Sequence, residues 1–421
     1  MKKLILSFCF SLCLGSAFAT TYYCDPVKGN INNKGTASSP WSTLDSVFIA
    51  NKKLLPGDTI ILRNGYHGFP VIKGNLTAEK DITILPQKGH SPTVKKLLIT
   101  NASHWRIVGL KISPEVVKSY ERGDFVGIKP EASFITLENC TISSTDLCIN
   151  DWTAERLLAS CGVGIRVEGK NCILLNNTIK QVMFGVLVSK SAVRTLVSGN
   201  TIYGFVNDGI RGLADQCIYE YNTVAGSYGI DDNHDDAFQS WSTDEHGKVG
   251  MGKVSDVILR GNLFVSQIDP NQPFLQERGM QGIGNFDGFF ENWTVENNII
   301  ITNMWHGIAF YGAKNCKITN NTVLSNPLST LPFTPWIAIY DHKKGMASEG
   351  NSMKNNLATD FKEKKGVVDD SNNRKLPVSR LITDLKDWKA FDVRLNAAKA
   401  AVGAVDPKIP KLNTKLLVCE K

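Results

Sequence analysis

Seven stretches of the chain can be laid over one another without a gap. They are ITLENCTI (135–142), CILLNNTI (172–179), TLVSGNTI (195–202), CIYEYNTV (217–224), VILRGNLF (257–264), WTVENNII (293–300) and CKITNNTV (316–323), and WRIVGLKI (105–112) falls in the same frame. Apolar or small residues recur in three columns, for example Leu137, Leu174, Val197, Tyr219, Leu259, Val295 and Ile318 in the middle one. Alternation at period two means strands with one face inward, and excludes stacked helical repeats, whose apolar positions would recur at 3.6. Between the apolar columns runs a polar one: Asn177, Asn200, Asn222, Asn262, Asn298 and Asn321, with Cys140 in the first slot. A buried asparagine must satisfy its amide. Asparagines stacked at equivalent turns do so by bonding to the next coil. The pattern therefore predicts an all-β chain, a right-handed parallel β-helix (a solenoid) with an asparagine ladder.

The ladder spacings of 23, 22, 40, 36 and 23 residues separate bare coils from coils with insertions, at roughly 227–250 and 266–280, with others at 145–162 and 325–350. Another strand precedes most ladder segments: VGIRV (163–167), FGVLV (184–188), DGIRG (208–212), DAFQS (236–240), QGIGN (281–285) and HGIAF (306–310). Coils of such a solenoid lie about 4.8 Å apart. Asp236 should thus sit on Asp208, with Gln281 and His306 following along the axis. Three residues on, a second column reads Arg166, Leu187, Arg211, Gln239, Gly284 and Ala309.

The ends read differently. Residues 1–19 have a signal peptide's form: Lys2 and Lys3, an apolar stretch from Leu4 to Leu14, and small residues from Ser16 to Ala19. No later apolar run approaches the roughly 20 residues of a membrane helix. We expect a secreted or periplasmic monomer, inserted in no membrane. Residues 20–62 should cap the open solenoid end with a short helix from about Trp41 to Asn51, started by Ser42 or Thr43, and residues 63–360 form the β-helix. Beyond 360 the pattern fades, and 361–421 should pack on the solenoid or cap it. Of ten cysteines, Cys9 and Cys13 leave with the signal. Cys172, Cys217 and Cys316 share a column at separations too long for a disulfide and are expected as buried thiols. Cys148 and Cys161 share one insertion and are candidates to pair. The formal charge of +7 suits an acidic glycan as partner, and nothing points to nucleic acid.

The chemistry concentrates at Asp231, Asp232, His234, Asp235 and Asp236, with Asp208 one coil away. A fold tolerates so many like charges when they are solvated, share protons or bind a cation. Hard oxygen ligands from turns and strands suit Ca²⁺, and Asp208, Asp232, Asp235 and Asp236 are the expected ligands. The alternative is a solvated acidic loop. Arg211, His234, Arg278 and His306 are the nearby cationic side chains, and Trp241, Phe286, Phe289, Phe290, Trp305 and Tyr311 the nearby rings on which sugars could stack.

Together with the opening YYCDPVKGN…PWSTLDS…PGDTIILRNGYHG, the coils over residues 20 to about 360 resemble the secreted parallel β-helix proteins. Within that class, DGIRG followed one coil later by DDAFQ is similar to the calcium site of the pectate-lyase-like polysaccharide lyases. Asp208, Asp235 and Asp236 match three of that family's calcium aspartates. The fourth position is Gln239, which Asp232 could replace, and the family's lysine base falls at Gly284. The resemblance implies a lyase that cleaves an acidic, uronate-containing polysaccharide by metal-assisted β-elimination. Arg211 would then neutralise the carboxylate or act as base, with His234 the rival base. A glycoside hydrolase using Asp208 with Asp236 or Asp232, a uronan epimerase, and a non-catalytic glycan-binding solenoid are the other readings.

Overall fold

The computed structural model describes residues 19–77, 79–114, 122–145, 147–268, 274, 279–302, 304–328, 332–375 and 402–412. The signal-like segment up to residue 18, Arg278 and much of the C-terminal tail lie outside them. The chain winds as a parallel β-helix, and its named strand pairs all run parallel. Each aligned segment is two short strands with a corner between them. Ile173–Leu175 and Thr178–Val182 are one such pair, and Leu196–Ser198 and Thr201–Phe205 the next. The corner residue before each ladder asparagine takes positive φ: 53° at Asn176, 67° at Gly199 and 55° at Asn297. Asparagine and glycine tolerate this left-handed conformation best, which explains the N-N and G-N pairs.

The ladder closes as expected and runs further. Asn177 donates its Nδ2 to Asn200 Oδ1 at 2.9 Å, Asn200 to Asn222 at 3.1 Å and Asn222 to Asn262 at 3.0 Å. Asn262, Asn298 and Asn321 continue it to Asn356 and Asn373. Each Oδ1 also accepts the backbone N–H of the preceding rung, as Asn222 Oδ1 does from Asn200 at 2.9 Å. The inward columns merge into one core from Cys24 to Ala358.

A helix, Leu44–Ile49, covers the N-terminal end, and Thr43 caps it. A second helix, Ala154–Ser160, fills the insertion that the repeat left unassigned. Parallel pairing continues past residue 360, through Asp360–Lys364 and Val367–Ser371 to Lys375. Val402, Ala404 and Ile409 lie on an outward apolar patch formed by Leu263, Ile299, Ile301 and Leu324. Cys172, Cys217 and Cys316 are buried free thiols. The suggested Cys148–Cys161 pair is corrected: Cys161 is a free thiol against Ile149 and Leu157, so it is not the disulfide partner of Cys148.

Removing a mid-ladder amide orphans the two donors of the preceding rung. Asn222→Ala should lose about 1–3 kcal/mol for each donor left unpaired, and Asn373→Ala, at the half-exposed end, much less. Urea unfolding of the two variants tests this order.

Candidate functional site

The strands before the ladder stack in the expected register. Asp208 pairs with Asp236 and Arg211 with Gln239, then Asp236 with Gln281 and Gln239 with Gly284. His306 then pairs with Trp336, and Trp336 with Asp360. Simple alternation breaks within each strand. Ile210 lies in the core, and a Cβ on Gly209 would also point inward, 2.2 Å from Val224. With two successive residues inward, residues three apart emerge side by side on the outer face. Asp208 meets Arg211, and Asp236 meets Gln239, in this way.

The acidic stack is compensated by side chains. Asp208 is fully buried, and its Oδ2 accepts Arg211 Nε at 2.7 Å and Nη2 at 2.6 Å. Its Oδ1 accepts the Asp236 amide at 3.2 Å. The guanidinium is sandwiched between Phe184 and Trp241, 4.6 and 4.5 Å from their ring centres. Asp236, also fully buried, accepts Gln239 Nε2 at 2.7 Å and pairs with His234 Nδ1 at 3.0 Å, both on Oδ2. Burial pushes both carboxyls upward, against the pull of Arg211 and His234. The Asp236 hydrogen bond in turn holds the His234 imidazole above its ordinary value. Asp235 is buried against Ser227 and raised by desolvation, and Asp232 is exposed.

Both Asp208 oxygens are engaged, with the Arg211 guanidinium against them, so Asp208 is not free for the expected Ca²⁺ set. Asp236 Oδ1 and both carboxylate oxygens of Asp235 are buried without a hydrogen-bond partner and are the oxygens that could hold a cation. Among the described residues no three His, Cys, Asp or Glu side chains come together to hold a metal ion. Of the expected ligands, Asp208, Asp235 and Asp236 lie close enough to raise one another electrostatically, and Asp232 is exposed. The same burial removes the hydrolase pair, because neither carboxylate is open to a glycosidic bond.

Beside the stack lies a groove of about 420 Å³, lined by His234, Gln239, Trp241, Gln281, Phe286, Asp287, His306, Tyr311 and Lys343. His306 hydrogen-bonds through Nδ1 to Gln281 Oε1. An amide oxygen only accepts, so Nδ1 carries the proton and Nε2 is left as the basic nitrogen. The His306 ring packs on Phe286 at 4.7 Å and Trp336 at 4.9 Å. Burial, followed by the positive charges of His234 and Lys343, lowers His306 to about 4. Gly284, where the related lyases have a lysine, has a physical reason here. A Cβ there would lie 2.5 Å from both Asp236 Oδ1 and the Phe286 ring, so Phe286 occupies that space.

Of the side chains singled out in the sequence, His234, His306, Trp241, Phe286 and Tyr311 line this groove, and Arg211 stacks on Trp241 outside its lining. Phe290 is core, and Phe289 stacks on His342 at 5.0 Å, away from it. Sequence reasoning missed Lys343, which pairs with Asp287 at 3.0 Å. It sits in the 325–350 insertion, which has no column to place it. Gln281 was visible as a column member, but its role in fixing a tautomer was not.

No protein-family model matches the chain, and no curated protein matches it in sequence. Solved structures do. The Dettilon tailspike protein (gp208) superposes with a TM-score of 0.55 at 14% identity, over 84% of this chain and 66% of that one. The Azotobacter vinelandii mannuronan C-5 epimerase AlgE6 A-module gives 0.50 at 12%, over 79% and 93%. Pectate lyase Pel9A gives 0.49 at 13%, over 90% and 86%. The chain is thus similar in fold to parallel β-helix proteins, among them polysaccharide-acting ones.

Arg211→Ala leaves two stacked, buried carboxyls without their main cation. It should cost about 3–5 kcal/mol at pH 8. Without the arginine the folded carboxyls bind protons that the unfolded chain, near the ordinary 3.8, releases. The deficit should therefore shrink as pH falls to 5, read by denaturant unfolding at the two pH values.

Proposed function

We propose that this protein cleaves an acidic polysaccharide by β-elimination in the groove beside the Asp208–Asp236 stack, with His306 as base. One observation supports this above the others. His306 is neutral, its tautomer is set by Gln281, and its Nε2 belongs to a ring that lines an aromatic groove together with an ammonium, Lys343. In this reaction Nε2 takes the proton α to the uronate carboxylate. The C–H electron pair becomes the new C4–C5 double bond, and the glycosidic oxygen leaves from C4. Lys343 offset the carboxylate charge as it develops. His234, whose affinity for a proton is raised by Asp236, donates a proton to the departing oxygen.

That pair fits the pattern of acid and base placed in environments that push them apart. His234 moves upward through its carboxylate, and His306 downward through burial. The Phe286 ring centre is 6.0 Å from that of His234 and 4.7 Å from that of His306, so one aromatic side chain lies against both. Arg211 and His234, the expected base candidates, take other parts in this reading. Arg211 is bound to Asp208, and His234 through Asp236 is a donor. No step is routed through calcium; Asp235 and Asp236 Oδ1 would hold such a cation, with Asp208 taken up by Arg211. An exported location remains part of the proposal, supported by the signal-like residues 1–19. No described helix is long and apolar enough to cross a membrane.

The test is to follow formation of unsaturated uronate products from pectate, alginate and glycosaminoglycans. We expect product from one class, a loss of about a hundredfold or more in His306→Gln, and little change with chelator. Activity should persist as pH falls toward 5, since His306 protonates only near 4. An unchanged rate in His306→Gln contradicts the assignment, and a loss on chelation restores the metal.

A further inference from the structure

The outward column does not stop at His306. Trp336 follows it in register and Asp360 follows Trp336, two coil steps or about 10 Å further along the axis. There a second cleft opens, of about 740 Å³, lined by Trp305, Phe333, Trp336, Asp360, Lys362 and Lys375. Trp336 belongs to both places, because its ring also packs on His306.

Two features of this cleft call for an occupant. Trp305 is 48% exposed, an unusual position for the largest apolar side chain, and Phe333 props it edge-on at 4.6 Å. The ring is thus presented as a platform. Beside it, Lys362 and Lys375 converge on Asp360 at 2.9 and 2.7 Å. Two ammonium groups on one carboxylate leave the cluster net positive. A flat apolar face next to uncompensated positive charge matches an anionic pyranose, which offers C–H groups on one face and a carboxylate or sulfate at its edge.

We propose that this cleft is a distal subsite for an anionic sugar residue of the same polysaccharide chain that lies in the His306 groove. It rests on the reading of that groove as a polysaccharide site. It adds a direction, with the chain running along the solenoid axis toward the C-terminal coils, and a minimum length, since short oligosaccharides filling the groove do not reach Trp305.

Binding rather than turnover tests it. Titration calorimetry would be run on the full mature chain in the His306→Gln background, with uronate di- to hexasaccharides, sulfated glycosaminoglycan oligosaccharides and neutral hexasaccharides as probes. Trp305→Ala should weaken hexasaccharide binding about tenfold or more and leave disaccharide binding unchanged. Lys362→Met combined with Lys375→Met should reduce the salt dependence of hexasaccharide binding. Because Trp305 is half in solvent, its truncation should leave the melting temperature unchanged. The uronate and sulfated arms identify the source of the anion. Equal losses at every length, no loss at any length, binding of neutral hexasaccharides alone, or no glycan binding at all would each overturn the subsite. Length-dependent binding lost in Trp305→Ala, together with no unsaturated product from the chain with His306 intact, would sink the lyase reading and leave the subsite standing.

Discussion

Each interior ladder asparagine makes four hydrogen bonds of one pattern with its amide. Oδ1 takes two donors from the preceding rung, and Nδ2 gives one hydrogen bond to the next Oδ1 and another to a carbonyl, as Asn200 does to Leu174 at 3.0 Å. Nothing polar is left unpaired at the corner, so the corner can be buried. The ladder also fixes which residue of one coil lies over which residue of the next, whatever is inserted between. The chain makes long excursions after Ser227 and Val265, yet Asn222, Asn262 and Asn298 still meet at 3.0 and 2.9 Å. Everything on the outer face inherits that register.

The inherited register places Asp208 against Asp236, which is electrostatically unfavourable in a buried setting. The cost is offset locally. Arg211 emerges beside Asp208 because two residues turn inward between them, and His234 closes on Asp236 from the preceding loop. A stack neutralised in this way supports its surroundings more than it offers ligands. It raises the affinity of His234 for a proton and, with Gly284, leaves room for Phe286 beside Asp236. Phe286 in turn packs on His306, whose burial lowers its basicity. The acidic stack thus shapes the groove while His306 and His234 line it.

Much of this was legible in the sequence, for a physical reason. A ladder strand has one permitted periodicity and one permitted polar slot, so the alignment of Asn177 with Asn321 predicts the coil, and the coil predicts Asp208 over Asp236. What was not legible depends on side-chain direction and on insertions. Acidic residues adjacent in sequence read as one ligand set, but Asp235 turns to Ser227 and Asp232 to solvent. Gln281 and His306 were visible as neighbours, but a column does not say that one fixes the other's tautomer. Lys343 comes from an insertion, where the repeat gives no register. Gly284 looked like a missing base, and is a space filled by Phe286.

The central claim is that substrate lies in the groove with its reacting carbon at His306 Nε2. A crystal structure of the His306→Gln variant with a bound uronate oligosaccharide tests it most directly. The account predicts the sugar carboxylate at Lys343, the C5 hydrogen facing the position of the His306 ring, and the chain running along the solenoid axis past Trp336. An oligosaccharide bound on another face, or held through a metal ion on Asp232 and Asp236, would contradict it.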